Sequence, residues 1–439
     1  MAMDSEDPPD RDSLGQLMTG RPRLPAHQPR PAGAPTVLEG MRVIDFTRVL
    51  AGPYATQQLA DLGAEVIKIE TPVIGDDSRH YTTTSLAGEC VFYLSINRNK
   101  KSVTLDLKTA AGQQVARDLI AGADIVVENF SNGTMRRFNL DYESLSEFHR
   151  RLIYCSITGY GSDDPSAVPR RTYDAIIQAA SGFMSLTGEE DRLPMRTTVP
   201  IIDTASAMQA TSAVLAAIIA RDRIGRGQFL EIALLDVAVA VQTLYCMTYL
   251  VSGRDLPRNG NRAPQTAPSD IYMASDGPIF ITCGNNALFR RLAAALSRPE
   301  LADDPLLADN PMRVRNIERM TSVLNGILAT DTRARWMTRL MNAGVPAAPV
   351  ASIGEAVASE DARRRRLVSE IPHPKAGSVP NVRSPFRFEL TPVADPVAAP
   401  LLGQHTQDIL RGTLGYDDVR IAALAEAGAF GPRSAAQTD

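Results

Sequence analysis

Cysteine is scarce in this chain. Its four residues, Cys90, Cys155, Cys246 and Cys283, are scattered over 439 positions and form no CxxC pair. That spacing excludes zinc and dithiol redox motifs and predicts buried, reduced thiols in a cytoplasmic protein. Histidine is almost as thin, with five residues, and none stands in a Ser-His-Asp pattern. Neither charge sign is in large excess. A net charge of −4 and a pI near 5.9 give no global basic surface for nucleic acid. Long apolar runs are missing as well. The most apolar one, Ala210 to Ala220, meets Arg221, Asp222 and Arg223 and is too short to span a bilayer. The GxGxxG dinucleotide fingerprint is also absent, because the turn after the first predicted strand reads RVLAGP.

What is there suits a globular protein with two cores. Hydrophobic residues make up 44% of the chain, enough for two domains of ordinary size. Residues 1–35 are rich in proline and charge and poor in apolar side chains, and read as disordered. From Leu38 the pattern alternates. Met41–Thr47, Ala64–Glu70, Ser102–Leu107, Asp124–Glu128 and Leu152–Thr158 read as strands, separated by helix-like stretches. Such alternation predicts a doubly wound α/β domain, which gathers ligands at the C-terminal ends of its strands. The expected organisation is a large domain over 36–205 and again over 353–439. Between these parts come a linker helix over 206–231, a smaller α+β domain over 232–325 and a linker over 326–352.

One carboxylate stands out. Asp174 sits between a polar turn and the apolar run AIIQAASG. By position alone it reads as a helix cap, since Asp accepts hydrogen bonds from the free N–H groups at a helix start. Its surroundings support a second reading. The strings RVLAGPYATQQLADLGAEVIKIE, LSINRNKKSVTLDLK, VENF, YCSITGYG, YDAIIQAASG, GRGQ and LLGQHT follow one another in this order. Together they resemble the family III CoA-transferases (CaiB/BaiF type), and most nearly the succinate–hydroxymethylglutarate branch.

The resemblance carries several implications. The fold would be α/β, with a Rossmann-like large domain built from both ends of the chain and a smaller α+β domain. The assembly would be an interlocked homodimer with the active site between subunits. Asp174 would be the nucleophile that takes an acyl group from an acyl-CoA, with succinyl-CoA the expected donor and a dicarboxylate the expected acceptor. Coenzyme A would be a substrate carrier, and no cofactor would be bound permanently. Val49 and Leu50 match a backbone contact to CoA. Arg98, Asn99, Lys100 and Lys101 occupy the NRNKK segment expected beside the nucleotide. Asn129 and Phe130 match the ENF contact, and Arg137 matches a phosphate-binding arginine.

There are departures from the pattern. Thr71 stands where the family often has arginine, and Arg79 is the candidate substitute. The Asn259–Gly260–Asn261 loop lacks the glycine run of the formate–oxalate branch. Two other functions stay open at this level. An α-methylacyl-CoA racemase would need a second base beside Asp174, and only His149 lies upstream at a remotely suitable spacing. A non-catalytic CoA-binding protein would keep the fold alone.

Overall fold

A computed structural model describes residues 21–81, 84–162 and 170–431. Its centre is a six-stranded parallel sheet. In chain order the strands are β1 (Arg42–Asp45), β2 (Glu65–Glu70), β3 (Lys100–Thr104), β4 (Ile125–Glu128), β5 (Ile153–Thr158) and β6 (Phe229–Ala233). In space they run β3–β2–β1–β4–β5–β6, the strand order of a Rossmann sheet. The order reverses between β1 and β4, so a crevice opens outside their C-terminal ends.

Period-two alternation sends apolar side chains to both faces, which is why these strands read as near-continuous hydrophobic runs. Val43, Val66, Ile125, Val127, Ile153 and Cys155 belong to one core. Helices α1 (Ala51–Asp61) and α4 (Ile201–Ile224) cover that face, with Ala55, Leu59, Ala207, Ala210 and Ala217 buried in it. Ile44, Ile67, Val126 and Tyr154 belong to the opposite core. There α2 (Ala110–Ala121) contributes Val115, Ala116, Leu119 and Ile120. Between α2 and α4 in the chain lies α3 (Asp174–Ala180), whose Ile177 joins the first core.

The last strand enters through GRGQ. A Cβ on Gly227 would fall 2.0 Å from the Leu152 carbonyl oxygen, so only glycine lets this backbone pass beside β5. The Gly227 amide then donates to Arg150 O at 2.9 Å, and Tyr154 N donates to Gln228 O at 3.0 Å, which sets the register.

Several expected boundaries move. The helix over 206–231 is no linker: α4 starts at Ile201 and its small residues pack closely on α1. By length and composition α4 could cross a bilayer, but here one face of it, with Ile202, Ala207, Ala210, Val214, Ala217 and Ile218, is buried in the first core. Its buried Arg221 pairs with Asp124 at 3.0 Å. The segment from 232 is not yet the smaller unit. It completes β6 and continues into α5 (Leu234–Val241), which buries Leu234 and Ala238 in the first core, and then α6 (Thr243–Ser252).

The smaller core gathers from Ala267 to Val345. It holds antiparallel β7 (Ser269–Ala274), β8 (Gly277–Thr282) and β9 (Ala347–Pro349), with α7 (Asn286–Ala295), α8 (Ile317–Leu328) and α9 (Arg333–Asn342). The expected linker over 326–352 therefore belongs to this core. Trp336 and Leu340 of α9 are buried, and the Trp336 indole donates to Leu328 O at 2.7 Å. The proline-rich AAP segment reads as linker but serves as an edge strand, where a missing N–H is tolerated.

The expectation of disorder over 1–35 also changes. Residues 1–20 lie outside the described residues, but 21–35 take an extended path against a C-terminal hairpin, β10 (Val368–His373) and β11 (Gly377–Val382). Ala26 forms a parallel bridge with Glu370. Arg21 pairs with Glu370 at 2.6 Å and His27 with Asp395 at 3.0 Å. Backbone pairing and ion pairs hold this segment without an apolar core of its own. The chain's far end returns to the large unit. Ile409, Leu410, Tyr416 and Ile421, the last of these in α10 (Asp418–Glu426), complete the second core.

Candidate active site

The crevice is built first from backbone. The chain leaves β1 through Phe46–Leu50 and leaves β4 through Asn129 and Phe130. These two exits are locked together. Arg48 N donates to Asn129 Oδ1 at 2.8 Å, and Asn129 Nδ2 donates back to Arg48 O at 2.8 Å. The Arg48 guanidinium lies 5.0 Å over the Phe130 ring and 3.5 Å from Asp77. Val49 holds a left-handed backbone with φ of 70°. That conformation costs energy in a β-branched residue and is kept only by its surroundings.

Those surroundings form a buried charge network. Lys68, on β2, donates to Thr47 O at 2.7 Å and pairs with Asp76 at 2.9 Å. Asp76 Oδ1 accepts the Val49 amide at 3.1 Å. Burial alone would raise the Asp76 carboxyl, but the Lys68 charge and hydrogen bond together with the Ser78 and Val49 amides outweigh it and hold Asp76 at about 2. The pair therefore pins the Thr47–Val49 turn from both sides.

Of the residues expected at a CoA site, Val49, Leu50, Asn129 and Phe130 come together at this switch point. Arg137 follows on a short helical turn, exposed, with only the Thr134 hydroxyl bonded to its guanidinium among the described residues. The NRNKK segment does not join them. It precedes β3 and opens it, and so lies at the N-terminal edge of a parallel sheet, opposite the crevice. Its charges are already committed to partners within the fold. Arg98 is bidentate to Asp61 and donates to Val382 O at 2.7 Å. Asn99 Nδ2 donates to Asp61 at 2.9 Å. Lys100 is buried, pushed down to about 8 by burial, and pairs with Asp45 at 3.1 Å. Lys101 pairs with Glu65 at 2.6 Å. The cation that β3 sends towards the crevice edge is Lys108, exposed in the turn after the strand; the conspicuous NRNKK cluster masked it.

Arg79 is likewise not a free substitute at Thr71. It is bidentate to Glu70 at 2.7 Å and lies 3.6 Å over the Tyr93 ring. The Asn259–Gly260–Asn261 loop packs on the Gly188–Glu190 turn, with Gly260 N donating to Gly188 O at 3.0 Å. A cleft of about 380 Å³ beside it is lined by Glu189, Glu190, Asp191, Asp270, the two loop asparagines and Arg262, so carboxylates outnumber its single cation, which is itself paired with Asp270 at 3.2 Å.

Asp174 is the first residue of α3, but it does not cap α3. Its carboxylate reaches across to the start of α4. Oδ1 accepts Ile202 N at 2.8 Å and Asp203 N at 3.1 Å, and Oδ2 accepts Gln178 Nε2 at 2.5 Å. Gln178 is itself fixed, because Thr197 N donates to its Oε1 at 3.0 Å. The cap reading is thus half right: the carboxylate satisfies orphan amides, but those of a different helix, at the positive end of its dipole. Asp174 is buried, while Tyr173 beside it is 60% exposed and Ile176 49% exposed, so the carboxylate lies just beneath an open surface. Tyr81 links this point to the crevice. Its phenol is raised by burial and then by Tyr173, Asp77, Asp76 and Asp203, which stand around it. His149 is remote from all this, bonded through Nε2 to Ala123 O at 2.7 Å below the N-terminal end of β4. That removes the base considered for racemisation. No cluster of histidine, cysteine and carboxylate side chains suited to a metal occurs among the described residues.

A Rossmann-ordered sheet with a crevice at its switch point, and a buried carboxylate held by a neighbouring helix start, places the molecule among the α/β proteins that take ligands at the C-terminal ends of their strands. The chain belongs to CoA-transferase family III, whose family model matches residues 38–406. Succinyl-CoA:glutarate CoA-transferase of Mus musculus is 36% identical over 408 residues, covering 93% of this chain and 92% of the relative. Succinate–glutarate CoA-transferase of Agrobacterium fabrum is 39% identical over 379 residues, covering 85% and 94% respectively. A CAIB/BAIF family protein from Brucella suis has a crystal structure that superposes with a TM-score of 0.79. Its sequence identity is 37%, and the match covers 87% of this chain and all of that one.

Proposed function

We propose that this CoA-transferase moves CoA from succinyl-CoA to a dicarboxylic acid of glutarate type, with Asp174 as nucleophile. The observation that carries the reading is the Asp174 carboxylate, buried beneath an open surface and aimed by three N–H donors. Oδ2, held by one side-chain donor, is the freer oxygen. It attacks the thioester carbonyl; the carbon–sulfur bond breaks and leaves a mixed anhydride and CoA thiolate. The thiolate then attacks the aspartyl carbonyl, whose Oδ1 keeps the Ile202 and Asp203 amides as its charge grows. Succinate leaves, and an aspartyl-CoA thioester remains. The acceptor carboxylate runs the same two steps in reverse, so no external energy source is needed. The substrates named for the mouse and Agrobacterium relatives support this choice of acids.

The CoA moiety lies along Val49, Leu50, Asn129 and Phe130, with Arg137 and Lys108 towards its phosphates. The working unit is a homodimer with interlocked subunits. Support for an assembly comes from apolar surface that one subunit leaves bare: Leu244, Leu250 and Val251 on α6 are 70–82% exposed, and Leu193, Met195 and Val199 stand exposed on the segment that leads into α4. Patches of this kind mark interaction surfaces.

The test is a trapping experiment. With succinyl-CoA and no acceptor, intact-mass measurement should find an adduct that hydroxylamine converts to a hydroxamate at Asp174. Asp174→Ala and Asp174→Asn should form none and should lose transfer activity. An active Asp174→Ala enzyme would overturn the assignment.

A further inference from the structure

The N-terminus of α4 presents a second carboxyl that the reaction as written does not use. Asp203 lies in the first turn of α4, and its own amide is one of the two that hold Asp174 Oδ1, at 3.1 Å. Its side chain therefore springs from the backbone that touches the nucleophile. Asp174 takes three donors, namely two amides and the Gln178 side chain. Among the described residues the Asp203 carboxyl takes part in no hydrogen bond and no ion pair. The charge that bears on it is Asp174, and Tyr81 is a further neighbour, which in turn feels Tyr173, Asp77 and Asp76; the cations beyond these, Arg48 and Lys68, are paired with Asp77 and Asp76.

Two carboxyls at one helix start, one given every donor and the other none, divide into an accepting and a donating partner. We propose that Asp203 is a second catalytic residue: as the neutral acid its O–H donates a hydrogen bond to the oxyanion on the substrate's acyl carbon when Asp174 attacks the thioester. No proton is transferred in this step. The O–H stays on Asp203 while the carbon–sulfur bond breaks and the oxyanion collapses back to a carbonyl. The α4 amides serve the aspartyl carbonyl, and Asp203 serves the substrate carbonyl. Consistent with this role, burial and then the Asp174 charge push the Asp203 carboxyl up to about 7.

The inference rests on Asp174 being the nucleophile, and its test separates the two. Transfer rates with succinyl-CoA and glutarate would be measured from pH 5.5 to 9 for wild type, Asp203→Asn and Asp203→Ala. Wild-type kcat should fall as pH rises through about 7, where Asp203 loses its proton. Asp203→Asn keeps an N–H donor that does not titrate. It should retain most of the activity and lose that limb of the profile. Asp203→Ala should lower kcat on the order of a hundredfold, the usual cost of one oxyanion donor, with KM for succinyl-CoA unchanged. Should the alanine variant fail to fold, the wild-type and asparagine profiles still decide. An alanine variant within twofold of wild type, an asparagine variant as slow as alanine, or an unchanged alkaline limb in the asparagine variant would each overturn the role of Asp203. Absence of the hydroxylamine-trapped adduct in wild type would instead overturn Asp174.

Discussion

Glu128 closes β4 and is buried under the Phe130 exit. Ser156 Oγ donates to one of its oxygens at 2.5 Å and Phe130 N to the other at 2.8 Å. Burial nevertheless prevails and pushes the carboxyl up to about 7, against an ordinary 4.5. Between those values the folded chain holds a proton that the unfolded chain has lost. The group's contribution to stability is complete below about pH 4.5 and is lost as pH rises through 7. Glutamine mimics the neutral acid, since its oxygen can accept from Phe130 and its amide can donate to Ser156. Glu128→Gln should match wild type in urea unfolding at pH 4.5 and exceed it at pH 8, by up to about 3 kcal/mol. Parallel stability curves would show that Glu128 is charged in the fold. None of this was legible from VENF, because burial depends on what the sheet packs against. Asp174 was open to proposal from the sequence, because the YDAIIQAASG string carried it. Asp203 was not, because an Asp in a first helical turn is unremarkable until the helix start is seen to hold another carboxylate.

At the scale of elements, charge is where the sequence misled most. NRNKK reads as an anion site, yet a parallel strand has a direction, and whatever precedes β3 faces away from the crevice. Strand and helix positions themselves were readable from periodicity; which strand ends meet was not. The Lys68–Asp76 pair shows why the β1 exit depends on residues distant in sequence. Asp76→Ala takes its paired carboxylate from the buried Lys68 ammonium, leaving only the more distant Asp45 and Glu70 charges, a change that costs about 3–5 kcal/mol. It also removes the acceptor of the Val49 amide, one of the two anchors of the Thr47–Val49 turn. The expected result is a lower urea midpoint together with a raised KM for succinyl-CoA and little change in KM for the acceptor acid. Equal effects on both substrates would detach this turn from CoA binding. The smaller core teaches a similar lesson. Its last helix and edge strand read as linker because alanine and proline dominate them, but Trp336 and Leu340 fix α9 in place.

At the scale of the whole molecule, α6 has no buried residue, although most of its side chains are apolar. A helix of this kind is stable only when something covers it. If the partner subunit does so, Leu250→Asp combined with Val251→Asp should convert a dimer to monomer or aggregate in light scattering. An intact, active dimer in that variant would take α6 out of the interface. Tagged and untagged wild-type subunits should fail to exchange over hours if the two chains are interlocked, and rapid exchange would exclude that topology. The two-ended construction of the large unit was readable from the LLGQHT return, whereas the ordered strap over 21–35 was not, since it draws on the hairpin at β10 and β11.

That two-ended construction also governs how the chain emerges during synthesis. All six strands are available once Ala233 has been made, but the second face of the sheet still lacks Ile409, Leu410, Tyr416 and Ile421. At about 5–20 residues per second that face waits roughly ten seconds or more for its cover. Throughout the interval the nascent protein exposes a half-clad apolar surface, long enough for a chaperone to engage it. A ribosome stalled ahead of residue 409 would release a chain whose sheet is finished but which cannot bury it.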